Sequence, residues 1–221
     1  MPDTAATKPP IQAVIIPVTP YQQNCTLLWC TETMRGAFVD AGGDLDLLKR
    51  AAAEHHVTIE KLLVTHGHID HCGSTGILAE ELGVEIEGPQ EDDIYWLDRL
   101  GTDNTGIPGR PFIPNRWLHD GDKVTVGNLV LDVVHCPGHT PGHVVFVHQP
   151  SRIAMVGDVL FKGSIGRTDF PLGNHDDLIQ SITEKLWPLG DDINFVPGHG
   201  PISSFGQERR TNPFVADALF G

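Results

Sequence analysis

Within residues 62–73, LLVTHGHIDHCG, three histidines and an aspartate crowd into six positions directly after an apolar run. Imidazoles packed that densely cost stability unless something binds them, and a metal ion is the ligand that takes several at once. In an extended segment side chains two apart point the same way, so His66 and His68 share a direction. Asp70 and His71 are adjacent and diverge from each other. The run can therefore serve two ions, one through His66 and His68, the other through Asp70 and His71. It stands where a buried strand ends and a helix begins, a usual place for a ligand site in layered α/β folds. Neither pair completes a coordination sphere, so the chain has to fold in a way that brings donors from elsewhere to this one turn.

Three later segments offer such donors, each just beyond a strand. LDVVHCPGHTPGH supplies His139, flanked by glycines that let backbone and ion approach closely; RIAMVGDVLF supplies Asp158; INFVPGHGP supplies His199. A catalytic zinc takes about three protein ligands plus water. Paired ions about 3.5–4 Å apart need one group able to bridge them. A short carboxylate does this, and Asp158 is the candidate. The first ion is then expected on His66, His68, His139 and Asp158, the second on Asp70, His71, His199 and Asp158. All seven donors are nitrogen or oxygen, which fits two divalent ions, zinc first, with iron or manganese compatible. Binding requires neutral imidazoles and ionised carboxylates, so affinity should fall in acid.

The chain has 221 residues, 40% of them hydrophobic, enough for a sizeable core. Its 29 acidic residues outnumber 15 basic ones for a formal charge of −14, and no basic stripe appears. This argues against nucleic acid or an anionic membrane surface as partner. A small anionic substrate would need a local positive spot, and Lys162 and Arg167, directly after Asp158, are the expected substrate-binding residues. Asp169 is placed to orient Arg167 as an ion pair. Cys25, Cys30, Cys72 and Cys136 form no C-x-x-C pair and read as buried free thiols of a reducing cytosol. The start, MPDTAATKPP, lacks the apolar stretch of a secretory signal, and no apolar run approaches the length of about 18 residues of a membrane helix. A cytoplasmic location is expected; the oligomeric state is not legible.

Residues 1–10 read as a disordered tail before a single domain over 11–221. Strands are expected at 11–18, 25–30 and 36–41, then a helix capped by Asp44 with Leu45, Leu48 and Ala52 on one face. A buried strand over 60–66 leads to a helix ended by Gly83 and to another over 89–101 with Pro89 in its first turn. After a Gly/Pro/Asn-rich loop over 101–116 come strands at 123–126, 129–135, 143–148 and 152–157, a helix over 175–186 and a strand over 193–198. Strands followed by helices recur in each half without a strict repeat, which points to a layered α/β sandwich. His55, His56, His119, His148 and His175 sit in polar or helix-end contexts and read as solvated. His143, four residues past His139, stays open between a site role and a turn role. Cys72 reads first as a packing residue, with a place near the second ion as the alternative, and Asp40 and Asn24 read first as strand-end turn residues, with support behind the ligands as the alternative.

The pattern His-x-His-x-Asp-His, followed by PGHTPGH, GDVLF and PGHG, resembles the metallo-β-lactamase superfamily and within it the glyoxalase II group. The resemblance runs from about Ile11 to Pro201. The stretch FKGSIGRTDFPLGNHDDLIQSI looks most like the short bacterial glyoxalase II-like hydrolases. The resemblance implies a four-layer αββα sandwich with the metals at one edge of two facing sheets. It also implies the ligand set His66, His68, Asp70, His71, His139, Asp158 and His199, with Asp70 and Asp158 as catalytic carboxylates. Longer glyoxalase II enzymes carry a C-terminal helical domain that grips glutathione, whereas only residues 200–221 follow His199 here.

The implied activity is hydrolysis of a glutathione thioester such as S-lactoylglutathione to a 2-hydroxy acid and a free thiol. Paired ions lower the pKa of water to about 7. Attack on a thioester expels a thiolate whose conjugate acid has a pKa of about 8.5, so no strong general acid is required. GRTDF also resembles a rival, the persulfide dioxygenases, which hold one iron through two histidines and an aspartate. A lactonase is a further alternative. β-Lactamases often place cysteine where Asp158 stands, and a nuclease would want a basic surface.

Overall fold

A computed structural model describes residues 10–102 and 105–219. The tail expected over residues 1–10 lies outside the described residues except for Pro10. Two sheets dominate. The first has the order β1-β2-β3-β4-β5, with β1 Ile11–Val18, β2 Gln23–Cys30, β3 Arg35–Val39, β4 Thr58–Leu63 and β5 Glu85–Glu87. The second has the order β13-β12-β9-β8-β7-β6, with β6 Lys123–Val126, β7 Leu129–His135, β8 Val144–His148, β9 Ile153–Gly157, β12 Asn194–Pro197 and β13 Ser203–Ser204. A small hairpin of β10 Leu160–Phe161 and β11 Ser164–Ile165 stands apart.

The layering follows from the two-residue period of strands that are buried on both faces. In β3 and β4, Ala37, Val39 and Leu63 face the second sheet, while Phe38, Leu62 and Val64 face outward. In β8 and β9, Val144, Phe146 and Met155 meet the first sheet, while Val145, Val147, Ala154 and Val156 point the other way. Helices α1 Leu45–Glu54 and α3 Thr75–Leu82 cover the first sheet through Leu48, Ala52 and Leu78. Helix α5 His175–Gln180, prolonged by wider and tighter helical turns to Leu189, covers the second through Leu178, Ile182 and Leu186. The result is an αββα sandwich with three apolar interfaces. Each fully buried side chain such as Phe146 contributes about 1.5–3 kcal/mol by leaving water.

Several expectations are corrected. Asp44 does not cap α1: it is left-handed (φ 52°) with no capping bond, and its carboxylate instead accepts from Thr19 N–H (2.7 Å). The helix expected over 89–101 shrinks to a 3-10 turn, Glu91–Asp93, and α4, Ile94–Leu97. Pro89 follows a cis peptide bond and precedes the cap, Gln90, whose side chain accepts from Asp92 N–H. β5, β10, β11, β13 and α6 (Phe205–Thr211) carried no signal strong enough to read, being mostly two or three residues long. Gly83 does end α3 in the left-handed conformation (φ 67°). Cys25, Cys30, Cys72 and Cys136 are all free and buried. Among the described residues no helix is long and apolar enough to cross a membrane.

Candidate metal centre

The strands of both sheets end at one edge, and the chain closes across it. Asn24 N–H donates to Gly198 O (2.7 Å), Gly198 N–H to Gly157 O (2.7 Å) and Val144 N–H to Thr65 O (2.8 Å). The Asn24 amide adds bonds to Pro197 O (3.0 Å) and Gly200 O (2.9 Å), so its role is to join the two sheet edges rather than to make a local turn.

The loop after β4 and the short helix α2, Ile69–Cys72, carry His66, His68, Asp70 and His71 into this edge. His139 enters from the β7–β8 loop, Asp158 from the end of β9 and His199 from the end of β12. His68 Nδ1 lies 3.1 Å from His66 Nε2 and 2.9 Å from His139 Nε2. On the other side, His199 Nε2 lies 3.1 Å from Asp70 Oδ2, and His71 Nε2 lies 3.9 Å from the same oxygen. Asp158 stands between: Oδ1 is 3.3 Å from His71 Nε2, and Oδ2 is 3.6 Å from His139 Nε2 and 3.8 Å from His199 Nε2.

Each imidazole is turned by what its other nitrogen meets. His71 Nδ1–H donates to Asp40 Oδ2 (2.8 Å) and His139 Nδ1–H to Arg167 O (2.7 Å). His199 Nδ1–H reaches Tyr21 O (3.2 Å). Thr65 hydroxyl donates to Asp40 Oδ2 (2.6 Å), which leaves its oxygen to accept from His66 Nδ1–H (3.0 Å). In the neutral rings, as ligation requires, four Nε2 atoms are thereby left as acceptors aimed into the site. His68 differs: it offers Nδ1, and its ring packs edge-on against Trp96 at 4.5 Å.

The electrostatics divide the site. Burial, reinforced by neighbouring imidazoles, holds His66 well below the ordinary histidine range, and His68 down to about 3. Burial likewise lowers His139. This group is neutral, as ligation requires. For His71 burial acts downward, but Asp158 and Asp70 outweigh it and raise it well above its ordinary value. For Asp158 burial acts upward, and His71 together with His139 and His199 pulls the carboxyl far below the carboxylate range.

Divalent ions fit these residues. Three ring nitrogens converge on one point where His68 Nδ1 can share a proton with only one of its two neighbours. His71 Nε2 and Asp158 Oδ1 are buried and make no hydrogen bond. A cation between them satisfies both. Gly198 keeps the space open: a Cβ there would overlap Asp158 Oδ1 and the His71 ring.

A cleft of about 790 Å³ opens over the site, walled by Tyr21, Trp96, Phe161 and Phe170. Arg167 lines it and forms a two-pronged pair with Asp169 (2.8 and 2.9 Å). Lys162 is not part of the wall; it is an exposed residue of the turn between β10 and β11. Arg99, which the sequence did not single out, does line the cleft. It stacks 3.6 Å over the Tyr95 ring and donates to Tyr95 O, and no carboxylate pairs with it among the described residues.

Sequence reasoning also missed structural partners. Asp40, read first as a turn residue with support behind the ligands as the alternative, takes the second role: it orients His71 and binds Thr65 N–H (2.7 Å). His143 is buried; its Nε2 accepts from Asp158 N–H (3.1 Å) and its ring stacks on His66 at 4.6 Å. Its four-residue spacing from His139 was the only available signal. His148, expected in solvent, is buried at the far end of β8, because its even position places it on the inner face with Val144 and Phe146. His55, His56, His119 and His175 are exposed. Cys72 packs into the core beneath the first sheet.

The profile of the metallo-beta-lactamase superfamily matches residues 18–199. A hydroxyacylglutathione hydrolase, GloC, of Haemophilus influenzae is 43% identical over 91% of this chain and 96% of its own. Among solved structures, the BLEG-1 B3 metallo-beta-lactamase superimposes with a TM-score of 0.85 at 32% identity, over 92% of this chain and 99% of that one. TTHA1623, crystallised in a di-iron-bound form, superimposes with a TM-score of 0.83 at 30% identity, over 91% of this chain and 100% of that one.

Proposed function

Given that the chain belongs to the metallo-β-lactamase superfamily, we propose that this metallo-hydrolase is binuclear and cleaves an anionic thioester of the S-lactoylglutathione type. The observation that carries the reading is Asp158, whose two oxygens lie within 3.3–3.8 Å of donors from both groups. His66, His68 and His139 would hold one ion, Asp70, His71 and His199 the other, with Asp158 shared. Bound there, the ions would polarise a carbonyl and lower the pKa of water to about 7.

The chain's own residues do the rest. Asp40 and Thr65 keep His71 and His66 in the tautomers that leave Nε2 unprotonated. His143 holds the Asp158 backbone so that the carboxylate stays between the groups. Trp96, Phe161 and Phe170 wall the cleft with apolar surface that excludes water around a substrate's reacting end. Arg99, which pairs with no carboxylate among the described residues, is the cation offered for a substrate carboxylate, with Arg167 lining the same cleft. Among the described residues, the carboxylates that line the cleft are Asp70 and Asp158, both in the donor groups, which suits a thiolate leaving group better than an amide. The GloC likeness supports the same substrate class.

Metal analysis of the purified protein alongside turnover of S-lactoylglutathione tests this, for the parent and for Asp158→Ala. Two ions per chain with thioester cleavage are expected in the parent, and loss of pairing and turnover in the variant. One iron per chain with oxygen uptake on glutathione persulfide overturns the reading in favour of a dioxygenase. A variant that hydrolyses at the parent rate removes Asp158 from its bridging role.

A further inference from the structure

The turn Gln90–Trp96 belongs to neither ligand loop, yet its residues touch both. Asp93 is fully buried, and its carboxylate makes three bonds. Oδ2 accepts from Gly67 N–H (2.7 Å), the residue between His66 and His68, and from the Thr140 hydroxyl (2.8 Å), the residue after His139. Oδ1 accepts from Gly142 N–H (2.6 Å). We propose that Asp93 is a positioning residue that sets the geometry of the His66–His68–His139 group by tying its two loops to one rigid turn.

The surroundings agree. Gln90 N–H donates to Gly142 O (3.0 Å), which doubles the link to the second loop. Gly67 and Gly142 are glycines for a steric reason: a Cβ on Gly67 would sit 2.6 Å from Trp96 Cβ, and one on Gly142 2.6 Å from Asp93 N. The turn is thus pressed against both loops with no room for a side chain between. The bond from Val144 N–H to Thr65 O joins the same loops, but at the strand ends and not among the ligands. Burial pushes the Asp93 carboxyl up to about 7 against the pull of its three donors. A buried carboxylate is costly to keep, and an apolar residue in its place would leave three buried donors unpaired. Metal–ligand distances in well-formed sites keep within about 0.2 Å of fixed values, so a device that holds residues 66–68 against 139–142 bears directly on affinity.

The inference rests on the binuclear reading, and its test reads metal binding rather than turnover. Zinc and cobalt(II) are titrated against a competing chelator in Asp93→Asn and Thr140→Val, with the cobalt absorption spectrum reporting ligand geometry. The asparagine offers one acceptor oxygen, and its amide meets Gly142 N–H donor against donor. Affinity for one ion of the two should fall about 10–100-fold, with an altered cobalt spectrum, while the other ion binds as in the parent. In a His199→Ala background, where the first group binds alone, the same loss should appear undiluted. Thr140→Val should weaken that same ion by a smaller factor. A residue that merely supports the fold would lower the melting temperature and leave both affinities unchanged, and such a result in folded Asp93→Asn overturns the proposal. If Asp93→Asn has no cooperative thermal transition, Thr140→Val decides, and parent affinity there overturns it. A parent that binds two ions without cleaving thioesters defeats the substrate assignment and leaves this inference standing; a parent that binds none defeats both.

Discussion

Asp40→Asn changes one atom and tests how the second donor group is built. Asp40 is 2% exposed and accepts three bonds: Thr65 N–H at 2.7 Å, the Thr65 hydroxyl at 2.6 Å and His71 Nδ1–H at 2.8 Å. An asparagine keeps its oxygen for Thr65 N–H and turns its amide toward Thr65 Oγ1 and His71 Nδ1. Nδ1 must then accept, so the proton of the neutral ring moves to Nε2, the atom 3.3 Å from Asp158 Oδ1 that would hold the ion. The hydroxyl of Thr65 can rotate to accept; the imidazole can accept only by giving up its ligand lone pair. Loss of a group that orients a ligating histidine costs about 10–100-fold in metal affinity, which is about 1.4–2.8 kcal/mol. Fold stability should fall by about 1 kcal/mol, the net worth of one exchanged buried hydrogen bond. The assay is competition with a chelator for zinc, with circular dichroism melts of the metal-free protein as control. A folded Asp40→Asn that binds both ions within twofold of the parent would refute the claim that tautomer control by Asp40 makes His71 a ligand.

Gly198→Ala should abolish occupancy of the second group while leaving a folded protein, because the added methyl takes the space between Asp158 Oδ1 and the His71 ring; one retained equivalent of metal by elemental analysis is the expected result. Arg99→Ala should raise KM for an anionic thioester roughly fivefold at low salt with kcat nearly unchanged, whereas Lys162→Ala, outside the cleft wall, should leave both constants alone; equal effects would show that charge at large, and not position, draws the substrate. His71 and His199 both have raised pKa values, burial being outweighed by Asp158 and Asp70, so filling the second group should release protons near and above pH 6.5 and weaken as pH falls. Calorimetry in buffers of different ionisation enthalpy measures that release. Binding heats independent of buffer would contradict the charged state assigned to these two histidines.

The chain's own order of residues announced the candidate donors that the fold brings together and little of what steers them. His66, His68, Asp70 and His71 are legible because ligation demands particular residue types at short fixed spacing, and His139, Asp158 and His199 because each closes an apolar strand in a glycine-rich turn. A layered α/β sandwich was likewise readable, since strands buried on both faces leave unbroken apolar runs such as VVFV in β8, while the count of four layers came from the family resemblance. Apart from the Arg167–Asp169 pair, two residues apart, what only the tertiary structure decided is the partner of the polar side chains behind the donors. Asp40 lies 31 positions from His71, and Asp93 lies 26 from Gly67 and 49 from Gly142. A carboxylate at a strand end or in a helical turn looks the same in sequence whether it meets water or an imidazole. Arg99 lines the cleft and Lys162 does not for the same reason: proximity to Asp158 along the chain says nothing about which wall a flexible cation stands on. Local pattern encodes residue chemistry and element type, whereas hydrogen-bond partnership is set by which loops the closed sandwich brings within 3 Å of each other.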